Sequence, residues 1–185
     1  MALNRRQFAA GGAMGLLAFQ IGEAVTLLAA REARAQGVPL RVLDVQERRT
    51  VEALGEALLP GATECGIAHY LDHQLAADPV NSLLMIRYLD VPPPYAAFYR
   101  PAIAAVDFCA HRSFGKGFAE LTGDQQSAFI SAMQKASPDG WQGPPAPFFY
   151  FLLRSDVVDV VYGTMDGFEK LGIPYMAHIA PVAKW

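Results

Sequence analysis

Proline and glycine steps cut this chain into short segments, and that limits it to a bundle of modest helices. Pro60-Gly61, Asp78-Pro79, Pro92-Pro93-Pro94 and the stretch Gly140–Pro147 each interrupt the main chain. Proline brings no amide donor, and glycine favours turns. Between these breaks, apolar residues recur at helical spacing. Asp44 stands as an N-cap before a helix over 44–59 that carries Val45, Val51, Leu54, Leu58 and Leu59. A second helix spans about 66–77, with Ile67, Leu71 and Leu75 as its inner face, and a third covers 80–90. The longest segment, Tyr95–Phe114, turns Ile103, Val106 and Ala110 inward and is predicted to kink or restart at Pro101. Thr122, with Gln125 three residues on, forms a capping box for a helix that buries Phe129, Ala132 and Met133. Pro147–Leu153 is apolar all round, which suits a central helix or one covered by an interface. No useful run alternates with period two, and no segment repeats. The expected fold class is all-α.

The apolar excess sits at the start. The chain is 52% hydrophobic and 18% charged, which excludes intrinsic disorder. A net charge of −3 leaves no basic surface for nucleic acid. Asn4-Arg5-Arg6-Gln7-Phe8 precedes a soft apolar run from Ala9 to Ala30, and the small-x-small step Ala33-Arg34-Ala35 follows. These are the three parts of an export signal. Arg5 and Arg6 followed by Phe8 resemble a twin-arginine (Tat) signal, and Gly11, Gly12, Gly15 and Gly22 dilute the apolar run as that pathway prefers. A membrane span needs about 20 consecutive apolar residues, and Gln20 and Glu23 interrupt this one. Residues 1–35 are therefore read as an export segment engaging the Tat translocase, with cleavage at Ala33 and Ala35, and residues 36–185 as the helical domain of a periplasmic protein. An uncleaved leader would make it a membrane-anchored scaffold instead.

The inventory for catalysis is poor. No Gly-rich dinucleotide loop, G-x-S-x-G elbow, P-loop or C-x-x-C-H haem attachment is present. One constellation draws notice, His69-Tyr70-Leu71-Asp72-His73, because two histidines four apart on a helix can share a metal. A stand-alone metal-binding enzyme built on His69, Asp72 and His73 is the alternative reading. Against it, these residues lie off the face marked by Ile67, Leu71 and Leu75, so a solvated or interface face accounts for them. His111 and His178 stand alone and are read as structural. Two cysteines are too few for a disulfide scaffold or a four-thiolate cluster. An oxidising compartment permits one bridge, between Cys65 and Cys109.

Leu58-Leu59-Pro60-Gly61-Ala62 and then Glu64-Cys65-Gly66-Ile67-Ala68-His69-Tyr70-Leu71-Asp72-His73-Gln74-Leu75 resemble the opening of the gluconate 2-dehydrogenase small (third) subunit family. There a helix ending in [IL]-[IL]-P is followed by a G-V-x-x-[FY]-[IL]-D-x-x-L helix. The stretch Ala104–Leu121 and the run Phe148-Phe149-Tyr150-Phe151-Leu152-Leu153-Arg154 are similar to later parts of the family. The ending Tyr162-Gly163-Thr164-Met165-Asp166-Gly167-Phe168 with Leu171-Gly172-Ile173-Pro174 resembles Y-G-G-N … G-W … I-G-F-P-G. It departs at Thr164, where Gly is common, and at Phe168, where Trp is, so the family's substrate is not carried over.

The resemblance implies a helical, non-catalytic accessory subunit with no cofactor of its own. It implies a large FAD-dependent partner of the glucose–methanol–choline (GMC) oxidoreductase type, often beside a cytochrome c subunit carrying haem. The Tat route exports folded proteins, so a signal on a chain without a cofactor site suggests a loaded partner exported with it. The apolar tail carries Tyr175, Met176, Ile179 and Trp185. Left in water, each would forgo roughly 1.5–3 kcal/mol of burial. The tail is expected either to fold back on its own helices or to meet the partner beside Phe148, Phe149 and Phe151.

Overall fold

Caps and long-range side-chain contacts decide where the elements of this chain begin and end. The computed structural model describes residues 16–21 and 24–173. Its order is an antiparallel hairpin, β1 (Leu17–Ile21) and β2 (Ala24–Leu28), followed by helices α1 (Ala30–Ala35), α2 (Val45–Leu58), α3 (Ile67–Ala76), α4 (Ala96–Phe114), α5 (Gly123–Lys135), α6 (Ala146–Tyr162) and α7 (Met165–Lys170). Short 3-10 turns at Pro79–Asn81, Met85–Tyr88 and Phe118–Glu120 punctuate the connections. The mostly helical architecture is the expected all-α one, with the hairpin as an addition.

Helix α2 is the hub. Asp44 accepts the amides of Gln46 and Glu47 at 2.8 Å, and Glu47 returns the bond to the Asp44 amide at 2.9 Å. The helix so started contacts α3, α4, α5 and α6. Val51 and Leu54 are its wholly buried face, whereas Val45 stays exposed. Gly55 lets α3 come close, since a Cβ there would sit 3.0 Å from Ile67 Cγ2. Thr122 and Gln125 form the expected capping box on α5, which buries Phe129 and Met133 and leaves Ala132 exposed. Helix α4 runs as one element through Pro101.

The helix expected over 80–90 does not form. The Leu83 amide donates to Gln74 Oε1 at 2.8 Å and the Met85 amide to Asp156 Oδ1 at 3.2 Å. Side chains from two other helices thus take amides that a helix would have used internally. The hairpin is the second departure from the sequence reading. Leu17 pairs with Leu28 and Phe19 with Thr26, and Leu17, Phe19 and Leu28 turn into the core. Among the described residues, no helix is long and apolar enough to cross a membrane.

Cys65 and Cys109 are both free thiols. Their charged surroundings differ, Lys170 and Arg31 for Cys65 but Asp139 and Arg112 for Cys109, and burial raises both thiol pKa values. The bridge considered from sequence is therefore not made.

A buried acid closes the core. Asp156 of α6 is fully buried and accepts the Tyr99 hydroxyl at 2.5 Å. The Tyr99 ring in turn meets Phe149 edge-on, at 6.1 Å between centroids. Burial pushes the Asp156 carboxyl up from its ordinary 3.8 to about 7, against the opposing pull of its two hydrogen bonds. The folded chain therefore holds a proton between pH 4 and 7 that the unfolded chain releases. This group's contribution is greatest at acid pH and falls as pH rises towards 7. We predict that Asp156→Asn removes that slope. Chemical denaturation of both proteins across pH 4–8 should show the wild type losing stability relative to the variant by a few kcal/mol. Parallel curves would refute the protonated buried acid.

Candidate functional site

The candidate site is the polar face of α3. Gly66 opens this helix with a φ of 84°, and a Cβ there would lie 2.4 Å from the Ala30 carbonyl oxygen. Only glycine permits both the left-handed backbone and that close approach. From this start, His69, Asp72 and His73 come onto one side of the helix at i, i+3 and i+4.

Each then meets main chain from the N-terminal third of the protein. Asp72 Oδ1 accepts the Val42 and Leu43 amides at 2.8 Å, and Oδ2 accepts the Arg41 amide at 2.9 Å. His69 Nε2 lies 3.1 Å from the Val38 carbonyl, and His73 Nε2 lies 3.0 Å from the Ala18 carbonyl. A carbonyl can only accept, so Nε2 carries the proton in both rings and donates. Phe19 adds a tilted ring contact to His73, at 5.0 Å between centroids. Gln74, on the neighbouring stripe, holds the Leu83 amide. The arrangement is a clasp: one helix, three residues, and contacts spread from Ala18 to Leu43.

The expectation that His69, Asp72 and His73 face solvent or an interface is corrected. His69 and Asp72 are each 3% exposed and His73 is half-buried, because the hairpin and residues 38–43 cover that face. Burial lowers both imidazole pKa values, against the raising effect of the backbone hydrogen bonds. Both rings are therefore neutral at pH 7. Each Nδ1 is buried without a hydrogen-bond partner, left as a bare lone pair beside its proton-bearing Nε2. Neutral imidazoles and a carboxylate suit a metal, but here the polar atoms point to separate stretches of backbone. Among the described residues, no group of three His, Cys, Asp or Glu side chains could hold a metal ion.

The other predicted site residues separate clearly. Ala33 is wholly buried in α1, and Ala35 is exposed at its end. Phe151 is 44% exposed on α6. Phe148 is half-buried and packs edge-on against Phe98, at 5.5 Å between centroids. Phe149 corrects the interface expectation, because with Leu152 and Leu153 it forms the wholly buried stripe of α6 and offers no surface to a partner. Arg5, Arg6, Phe8, His178, Tyr175, Met176, Ile179 and Trp185 lie outside the described residues. Asp156 was missed, although its signal is present in the sequence as a lone acid in register with Phe149, Leu152 and Leu153. Thr164, one of the two departures noted above, has a local purpose: its hydroxyl accepts the Gly167 amide at 3.1 Å and caps α7.

Comparison with known proteins gives one match. The family model described as gluconate 2-dehydrogenase subunit 3 matches residues 45–177. No curated protein and no solved structure matches the chain.

The clasp predicts a stability phenotype. Asp72→Ala strands three backbone amides at once, of which that of Leu43 is buried and the other two are partly buried, and an unsatisfied buried donor costs about 1–3 kcal/mol. We predict a loss of about 2–3 kcal/mol in chemical denaturation, with much of it recovered in Asp72→Asn, whose amide oxygen still accepts. A neutral result for Asp72→Ala would mean that the three bonds do not hold the loop.

Proposed function

The chain belongs to the gluconate 2-dehydrogenase subunit 3 family, and from that premise we propose that it is a non-catalytic accessory subunit that binds and escorts a large FAD-dependent dehydrogenase of the GMC type. The observation that carries this reading is the clasp. Its histidines and carboxylate, the side chains best suited to chemistry, are all engaged in holding main chain. A protein organised this way fits mechanical work on a partner better than turnover of its own.

In this proposal the FAD and the reacting substrate reside in the partner, with a c-type haem in a third subunit. The oxidised compound is an alcohol, sugar or aldehyde. Arg5, Arg6 and Phe8 direct the assembled pair to the Tat translocase and so to the periplasm. Export of a folded pair explains why the signal lies on the chain that loads no cofactor. The partner contact takes in exposed Phe151 and the apolar tail with Tyr175, Met176, Ile179 and Trp185. Large aromatic side chains of this kind dominate interface energetics.

Two measurements test the proposal. Changing Arg5 and Arg6 together to Lys should leave both this chain and the dehydrogenase activity in the cytoplasmic fraction. Normal periplasmic activity in that variant would overturn the escort role. Truncation after Ile173 should weaken co-purification of the large subunit on the order of tenfold while the melting temperature of the isolated chain barely moves. A large drop in melting temperature would show instead that the tail belongs to this subunit's own core.

A further inference from the structure

The segment that reads as a removable leader is built into the fold. Leu17, Phe19 and Leu28 of the hairpin, and Ala30 and Ala33 of α1, are buried members of the same hydrophobic cluster as Leu71 and Ile67. The His73 ring donates to the Ala18 carbonyl and meets the Phe19 ring at a tilt. Gly66 is shaped to receive the Ala30 carbonyl, and α1 packs on α3. Arg31 pairs with Asp166 of α7, which ties the segment to the far end of the chain as well.

We infer that residues 17–35 are retained in the exported protein as the permanent cover of α3, so the small-x-small step Ala33-Arg34-Ala35 is not used as a cleavage site. A peptidase reads such a step as extended backbone. Here it is helical, and Ala33 has no exposed surface. Cutting after Ala35 would take away the hairpin, expose the apolar side chains that meet it, and strip His73 of both its hydrogen bond and its ring partner. The Arg5-Arg6 pair lies upstream of the hairpin, whereas the apolar run from Ala9 to Ala30 includes it, so the arginine pair is separate from the structural cover and the apolar run is shared with it. Recognition of the arginine pair does not require removal of the cover.

This inference rests on the export reading, and its test keeps the two apart. The full chain, tagged at its C-terminus, is purified from the periplasmic fraction and its intact mass is measured. A mass that places the N-terminus upstream of Leu17 supports retention, and a mass that starts at Gln36 overturns it. Absence of the chain from the periplasm fails the export reading instead, and retention is then decided by proteolysis of the cytoplasmic chain. Arg31 and Arg34 are exposed trypsin sites within the segment. Wild type should be cut there at least tenfold more slowly than Phe19→Ser, with the rest of both proteins intact over the same interval. Should Phe19→Ser be cut throughout, His73→Leu serves as the second variant. Rapid cutting of the wild type at Arg31 and Arg34 would show that the segment does not stay docked and would overturn the inference.

Discussion

Three consecutive amides, those of Arg41, Val42 and Leu43, converge on the carboxylate of Asp72, and the N-terminal third of the protein hangs from that point. Residues 41–43 lie outside helix and strand, so their amides need acceptors from elsewhere. Asp72 supplies them from a rigid helix. A carboxylate with a full set of donors can lie in the interior without a cation, provided those donors stay in place. The loop and the acid therefore depend on each other. With the loop fixed, Asp44 arrives where it caps α2, and α2 is the helix that α3, α4, α5 and α6 all touch.

The second buried acid has fewer donors. Asp72 meets three amide donors, whereas Asp156 meets the Tyr99 hydroxyl and a single amide, and burial drives its carboxyl towards the neutral form. Each nevertheless does the same architectural job, which is to fix an irregular stretch of chain against a helix. Asp156 sets the turn at Met85–Tyr88, and Asp72 sets the approach to α2. Apolar contacts alone could not do this, because they carry no direction and would leave the amides unpaired.

The pattern of what the sequence disclosed follows from the range of each interaction. Asp44 and Thr122 act within three residues, so both helix starts could be read locally. The stretch 80–90 could not, because Gln74 and Asp156 capture its amides from 9 and 71 residues away. The α3 face misled for the same reason: a helix covered on both sides looks amphipathic in sequence whenever its second cover is polar main chain. His73 finds its partner 55 residues upstream, in a stretch whose composition suggested a signal. Asp156 was within reach, since a single acid in register with an otherwise apolar stripe implies a buried partner.

These constraints bear on why an accessory subunit would keep two histidines and an aspartate at its centre. Hydrogen bonds from imidazole and carboxylate to main chain specify position as well as contact, so they hold irregular segments in one geometry. In a subunit of a larger complex, that fixity keeps the surface of the chain in one shape. The clasp also joins the terminus to the body, since Ala18, Val38 and Leu43 all meet one helix. A load on the hairpin would then pass through α3 into the packed helices. On that view the hairpin, α1 and the packed helices are one mechanical unit, and His69, Asp72 and His73 of α3 are the joint.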